Sequence, residues 1–319
     1  MRSWQRHLRT AVGLSAVAFA VVVVASLRER RVPVASKPVA TADPSAVVES
    51  AAGHTLRVNR EREDIRVEYA RLMSYGDGST RMFGIKVITE RAGGRTFTIA
   101  ADEGRSGQNE STIDLKGHVH LTSNDGIDVQ TAEASYAEQD GIVRAPGPVV
   151  FVQGRTKGEA TGFRYDKSAD RITLLADVTI HLAQGTTSGG SASRGGTTQD
   201  LEIVAQSAEY QRPEKTIRFD GAARASRGTH TVEGDSMVAL LDGSGDHLER
   251  LTLIGGGRVR DTAPAAGGLG TLSGRNIDLV YRAGEATLDH VRVVGEGRLT
   301  MAGQRGPGSE ITADSIAVV

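Results

Sequence analysis

The chain repeats itself, and the form of the repeat restricts it to an all-β fold. Six times a run appears in which every second residue is apolar or small, with glycine or alanine at its centre. The copies are Ile113-Leu115-Gly117-Val119-Leu121, Val143-Ala145-Gly147-Val149-Phe151 and Ile172-Leu174-Ala176-Val178-Ile180, then Ile217-Phe219-Gly221-Ala223-Ala225, Leu251-Leu253-Gly255-Gly257-Val259 and Val291-Val293-Gly295-Gly297-Leu299. The residues between them are mostly polar or charged. A period of two buries one face of a strand and leaves the other wet.

A second run follows each copy, with small or apolar residues at offsets of 0, 2, 5 and 7. Its instances are Val129/Thr131/Ala134/Tyr136, Gly158/Ala160/Phe163/Tyr165, Ile203/Ala205/Ala208/Tyr210, Val232/Gly234/Met237/Ala239, Leu272/Gly274/Ile277/Leu279 and Ile311/Ala313/Ile316/Val318. The step of three breaks alternation, so these side chains share one face only if the strand bulges or bends there. The unit is strand, turn, strand, turn, roughly 30 residues long, within the range of repeat architectures. Ser123-Asn124-Asp125-Gly126 is a strong hairpin signal, and Arg212-Pro213-Glu214 and Ala283-Gly284-Glu285 are turn material. Gly185 to Thr198 and Thr262 to Gly270 are insertions, the first rich in glycine and serine. Phe83-Ile85-Val87 with Phe97-Ile99-Ala101 forms a degenerate opening copy, as the end of a stacked array requires. Asn59 to Met73 fits a helix, a strand or a tether.

Two all-β architectures hold such units: a parallel β-helix, or paired antiparallel strands stacked into a curled sheet. The Asn-Asp-Gly turn and the bulged second strand favour antiparallel pairing, and the central glycine allows sharp bending. The fold class expected is therefore all-β, an elongated open β-jelly roll of repeated antiparallel strand pairs. One N-terminal transmembrane helix precedes it. Ala11 to Leu27 is uncharged and mostly apolar, flanked by Arg2, Arg6, Arg9 and by Arg28, Arg30, Arg31. It reads as a short membrane anchor, or as a signal peptide cut after Ala20 or Ser26. The division expected is residues 1–31 for tail and anchor and 32–55 for a Pro/Ala-rich linker. Two β regions follow, 56–190 and 191–319.

Composition and motifs remove other classes. With 38 Lys+Arg against 39 Asp+Glu there is no basic excess for nucleic acid. The absence of cysteine excludes disulfides, thiolate nucleophiles and Cys-ligated zinc. No nucleophile elbow, zinc-protease helix, phosphate loop or dinucleotide fingerprint is present, so neither catalysis nor a cofactor is expected. His118 and His120 share a strand face as conceivable metal ligands, although their polar neighbours favour simple solvation. Asp242-Gly-Ser-Gly-Asp246 is a fragment of a calcium loop that lacks the rest of its ligands. Tyr136, Tyr165 and Tyr210 recur at equivalent positions, as structural aromatics of a sheet rim or as lining of a site.

The chain resembles the LptC family, the membrane-anchored component of lipopolysaccharide export, and the related OstA-like and LptA-like repeat proteins. The resemblance rests on the N-terminal apolar segment, Phe83-Gly-Ile-Lys-Val-Ile-Thr-Glu90, Leu115-Lys-Gly-His-Val-His-Leu121 and Val129-Gln-Thr-Ala-Glu-Ala-Ser-Tyr136. Ile203-Val-Ala-Gln-Ser-Ala-Glu-Tyr210 followed by Ile217-Arg-Phe-Asp-Gly221 is similar to an OstA-type unit. The chain is longer than a typical member, as if an LptC-like part were followed by an LptA-like part. The resemblance implies an inner-membrane, single-pass protein with its body in the periplasm. It also implies an inner groove for lipid acyl chains and strand pairing with like-folded bridge proteins. An inner-membrane ABC-type export complex would supply the energy. The inward positions that would line the groove are Ile85, Val87, Leu115, Val119, Ile127, Val129, Val149, Phe151, Phe163, Leu174, Val178 and Ile180. The competing reading is a structural or adhesive β-solenoid with a filled core. A polysaccharide enzyme on a β-helix lacks its expected carboxylate cluster and aromatic platform.

Overall fold

The computed structural model describes residues 43, 45–59, 63–91, 95–107, 112–137, 139, 141–183, 200–243, 247–282, 287–303 and 308–318. The N-terminal anchor or signal segment, the 185–198 insertion and part of the Asp242–Asp246 loop lie outside the described residues. Among the described residues no helix is long and apolar enough to cross a membrane.

The described body is one antiparallel sheet of seventeen strands. They are β1 (Ala46–Asn59), β2 (Glu63–Tyr75), β3 (Thr80–Arg91), β4 (Arg95–Ser106), β5 (Thr112–Ser123) and β6 (Ile127–Ala137). Next come β7 (Ile142–Gln153), β8 (Thr156–Asp166), β9 (Arg171–Leu182), β10 (Leu201–Ala205), β11 (Ser207–Gln211) and β12 (Thr216–Arg227). The last five are β13 (His230–Leu241), β14 (Leu248–Asp261), β15 (Leu269–Tyr281), β16 (Leu288–Met301) and β17 (Ser309–Val318). Apart from β10 and β11, each strand pairs with the next in chain order, from β1–β2 through β16–β17. β10 and β11 act as one strand interrupted at Gln206, since both pair with β9 on one side and β12 on the other. The six first runs of the repeat are β5, β7, β9, β12, β14 and β16; the six second runs are β6, β8, β10–β11, β13, β15 and β17.

The body begins earlier than the sequence suggests. The tether expected over 32–55 ends at Ala46, where β1 enters register with β2 at Ala46↔Tyr75. Val47 and Val48 stay exposed. None of the described side chains of β1, residues 46–54, is buried, so this stretch carries no alternation to read. The stretch from Asn59 to Met73 resolves as the end of β1 and most of β2.

Every strand from β4 onward is broken at one level. Register shifts fall at Ala100/Glu103, Lys116/Val119, Thr131/Ser135, Ala145/Pro148 and Glu159/Thr161. Beyond Gln206 they continue at Asp220/Ala223, Glu233/Ser236, Ile254/Gly257, Ser273/Asn276 and Val294/Gly297. These bulges lie side by side and form a crease across the sheet. The step of three in the second runs falls on this crease. A bulge bends its strand and raises the local twist, so an aligned row of bulges folds the sheet along one line. Gly117 (φ +76°) and Gly255 (φ +72°) meet two demands there. Each takes the left-handed backbone that bulges use, and each lies beneath the side chain of a bulged aspartate on the preceding strand, Asp102 and Asp235.

Contacts between opposite ends of distant strands prove the fold. Phe97 at the start of β4 stacks on Tyr165 at the end of β8, ring centroids 5.7 Å apart. Arg212, after β11, donates to Asp125, before β6, at 2.9 Å. In a flat meander those two turns would sit on opposite rims, about 37 Å apart along eleven-residue strands at ~3.4 Å per residue. Only a sheet folded along its length brings them together. One continuous apolar core fills the crease from Met82 to Ile316.

The outer face carries charged side chains beside scattered exposed apolar ones such as Val150 and Leu175. Arg71 and Arg81 stack over the Phe83 ring, 4.5 and 4.9 Å from its centroid. Arg81 forks onto Glu103 with two 2.8 Å hydrogen bonds, and Arg105 adds a third at 2.6 Å. The Arg81 fork, aided by Arg105 and opposed by desolvation, holds the Glu103 carboxyl at about 2 against an ordinary 4.5. A depressed carboxylate pKa stabilises the fold above the unfolded value and loses that contribution as pH falls through the folded one. Acid titration of the melting temperature will therefore show a Glu103 component lost between pH 4.5 and 2, and Glu103→Gln will remove it. An unchanged acid profile in that variant contradicts the assignment.

Candidate functional site

Folding at the crease gives each strand two limbs whose apolar faces oppose one another. Close to the crease the limbs pack fully: Val178, Val149, Ile85 and Val119 are 0%, 1%, 1% and 2% exposed. Farther out, between β6 and β13, they part around a cavity of about 600 Å³, within the range of ligand sites.

Six of the twelve inward candidates line this cavity: Ile127, Val129, Phe151, Phe163, Leu174 and Ile180. The other six lie elsewhere. Leu115, Val119, Val149 and Val178 form the packed floor, and Ile85 and Val87 belong to the core of β3. The expected site thus divides into a wall that faces open space and a floor that does not.

Tyr210, singled out in the sequence as a recurring aromatic, lines the cavity too, and further lining residues lie outside the twelve. Among these are Ile172, Ile203, Ile217, Phe219 and Leu241. Most of these stand in the same repeat positions as the first set, so the signal was present. Dividing the chain at 190/191 hid all of them but Ile172, because the cavity draws on β6–β9 and β10–β13 together. That division falls within 184–199, outside the described residues, and β9 pairs with β10 and β11 across it.

Small residues keep the cavity open. Gly158 is buried on β8, where a Cβ would strike the Phe151 ring and come within 3.0 Å of the Thr179 carbonyl oxygen. The glycine lets that ring lie flat against β8.

Charged groups stand at the mouth. Asp125, Arg155 and Glu209 line it. Asp125 is bonded to Arg212, and Glu209 lies 3.8 Å from Arg171. Ser123 and Asp125 share a close hydrogen bond within their turn. Farther along, Arg227 at the end of β12 acts electrostatically on Tyr281 at the end of β15, whose phenol is raised by burial and lowered in part by that charge.

The remaining sequence candidates separate from the cavity. His118 pairs with Asp102 at 2.7 Å and His120 with Asp128 at 2.9 Å, so each takes its own carboxylate. Among the described residues no group of three or more His, Asp or Glu side chains is placed to hold a metal. Tyr165 donates to Asp170 at 3.1 Å while packing on Phe97, and Tyr210 faces the cavity.

A family profile described as "LptC: Lipopolysaccharide-assembly, LptC-related" matches residues 15–183, more than half of the 319. The chain belongs to the LptC family. Membership gives it a role in lipopolysaccharide assembly and transport. The LptC match ends at β9, and β10–β17 continue the same sheet beyond it. Among solved structures the chain is similar to LptH of Pseudomonas aeruginosa, the LptA-homologous periplasmic component of the lipopolysaccharide transport device. That likeness has 16% identity and a TM-score of 0.30, and covers 39% of this chain and 87% of LptH. No curated protein matches the chain.

Filling the cavity from its own wall tests the role of Gly158. Gly158→Val should drive the Phe151 ring into the cavity at a cost of about 1–3 kcal/mol. Denaturant titration will show the loss of stability, and binding of an apolar fluorophore in the cavity will fall with it. Unchanged stability contradicts the close packing described.

Proposed function

We propose that this LptC-family chain is a non-enzymatic conduit for lipopolysaccharide. In this reading it is anchored in the inner membrane by its N-terminal segment and stands in the periplasm as an open β-jelly roll. The observation that carries the proposal is the apolar cavity between the limbs, open at a charged mouth and continuous with the core. Acyl chains would enter it from the export complex. Burial of apolar surface at about 25 cal/mol per Å² holds an acyl chain there without covalent chemistry.

Movement through such a trough is passive, so the driving free energy comes from an ABC-type ATPase partner. Like-folded bridge proteins would add a strand to a terminal edge. β17 offers one: among the described residues its register joins it only to β16, and Ile311 and Val318 are exposed. The matched LptC segment ends at β9, whose outer edge this chain covers with its own β10 and β11. The chain therefore carries part of the bridge itself and offers its docking edge eight strands later.

A second reading has its own support. The floor residues Val178, Val149 and Val119 are packed as in any filled solenoid. Photo-crosslinking in living cells separates the two. Probes at Phe151 and Ile180 should give lipopolysaccharide adducts that disappear when the export ATPase is disabled, while a probe at exposed His118 should give none. A folded protein without adducts at either cavity position leaves the filled solenoid standing and removes the conduit.

A further inference from the structure

Two contacts cross the slot between the limbs, and hydrogen bonds along both rims tie them to each other. The first is the stack of Phe97 on Tyr165, 5.7 Å between centroids. The second is the ion pair of Asp125 with Arg212 at 2.9 Å. Neither joins neighbouring strands: among the described residues β4 pairs with β3 and β5, and β8 with β7 and β9. No ladder links the Asp125 turn to the Arg212 turn.

On one rim the backbone N–H of Asn124, beside Asp125, donates to the carbonyl of Thr96, beside Phe97, at 3.2 Å. The N–H of Thr96 returns a bond to the Asn124 side-chain oxygen, also at 3.2 Å. On the other rim Asp170 serves both contacts. Its carboxylate accepts the Tyr165 hydroxyl at 3.1 Å, and its backbone carbonyl accepts the Arg212 N–H at 3.3 Å. Asp170 does so from a left-handed backbone, φ +46°, which aspartate tolerates better than most residues. The contacts close a circuit, from Phe97 through Tyr165, Asp170, Arg212 and Asp125 back to Asn124 and Thr96.

The circuit stands at the cavity. Asp125 lines the mouth, and Ile172, the cross-strand partner of Tyr165, lines the wall. One aromatic stack and one partly exposed ion pair hold the rims together far less firmly than a backbone ladder would. The polar part of a lipopolysaccharide cannot follow its acyl chains into an apolar interior. It stays outside, so its link to the chains runs through the slot that these two contacts cross.

We propose that the two contacts form one clasp across the slot, that it must open for cargo to pass, and that Asp170 makes its two halves open together. Hydrogen-bonded networks of this kind couple their members energetically. The inference rests on the conduit reading above.

The first test uses the full-length chain in amphipol, spin-labelled on cysteines at Thr122 and Glu214, near the ion pair but outside the circuit. Tyr165→Phe keeps the ring on Phe97 and deletes the hydroxyl bond to Asp170. The proposal predicts that the long-distance population across the ion pair rises about tenfold, the scale of one hydrogen bond to a charged acceptor. Asp170→Ala should give the same rise, and Asp170→Asn, which keeps an acceptor oxygen, should reverse most of it. Val293→Ala, a core truncation in β16, should leave the distances unchanged. Unchanged distances in both Tyr165→Phe and Asp170→Ala would make the two contacts independent and overturn the clasp. An equal rise in Val293→Ala would reduce the effect to lost stability and overturn it too.

The second test joins the same two cysteines with a cleavable bismaleimide. In vesicles carrying the export ATPase, the locked chain should deliver no lipopolysaccharide to acceptor vesicles, and cleavage should restore delivery. Delivery at the unlocked rate would overturn the need for opening. No delivery by the unlocked chain would remove the conduit reading itself.

Discussion

The crease is the feature on which the rest of the molecule depends. A meander of seventeen strands has one apolar face and no second layer to cover it, so left flat it would expose that face to water. Interrupting each strand at the same level lets the sheet become its own second layer. The two limbs then bury one another's side chains, and Val178 and Val293, on either side of the bend line in β9 and β16, reach 0% exposure. Glycine is required where a bulged side chain presses on the next strand, as beneath Asp102 and Asp235. The repeat in the sequence is thus the record of a single mechanical solution applied strand after strand.

The same geometry divides the interior into floor and trough. Near the crease the limbs are too close for anything but their own side chains. Toward the rims they diverge, and where they do not meet through a contact such as Phe97–Tyr165 a space remains. That space is bounded by residues on both sides of the point where the LptC match ends. The added strands are therefore part of the groove wall, and the length of this chain has a structural consequence for its site.

Much of this was legible in the residues. Alternation with a central small residue marked β5, β7, β9, β12, β14 and β16, and the step of three marked the bulges of their partners. Two things were not. The start of β1 was hidden because an edge strand whose Val47 and Val48 are exposed shows no hydrophobic period. The distinction between Phe151 or Ile180 and Val119 or Val149 was hidden because period two reports which face is inward, not how far the opposing limb stands. That distance depends on contacts such as Asp125–Arg212, 87 residues apart, which no local pattern encodes.

The account stands or falls on the sheet being folded so that its rims meet. The chain has no cysteine, so spin labels can be placed without background at Asn124, beside Asp125, and at Lys215, in the Arg212 turn. Electron–electron distance measurement on the full-length protein should give a short separation, reflecting rims in contact. A separation near the ~40 Å or more of an unfolded meander would contradict the crease, and with it the trough.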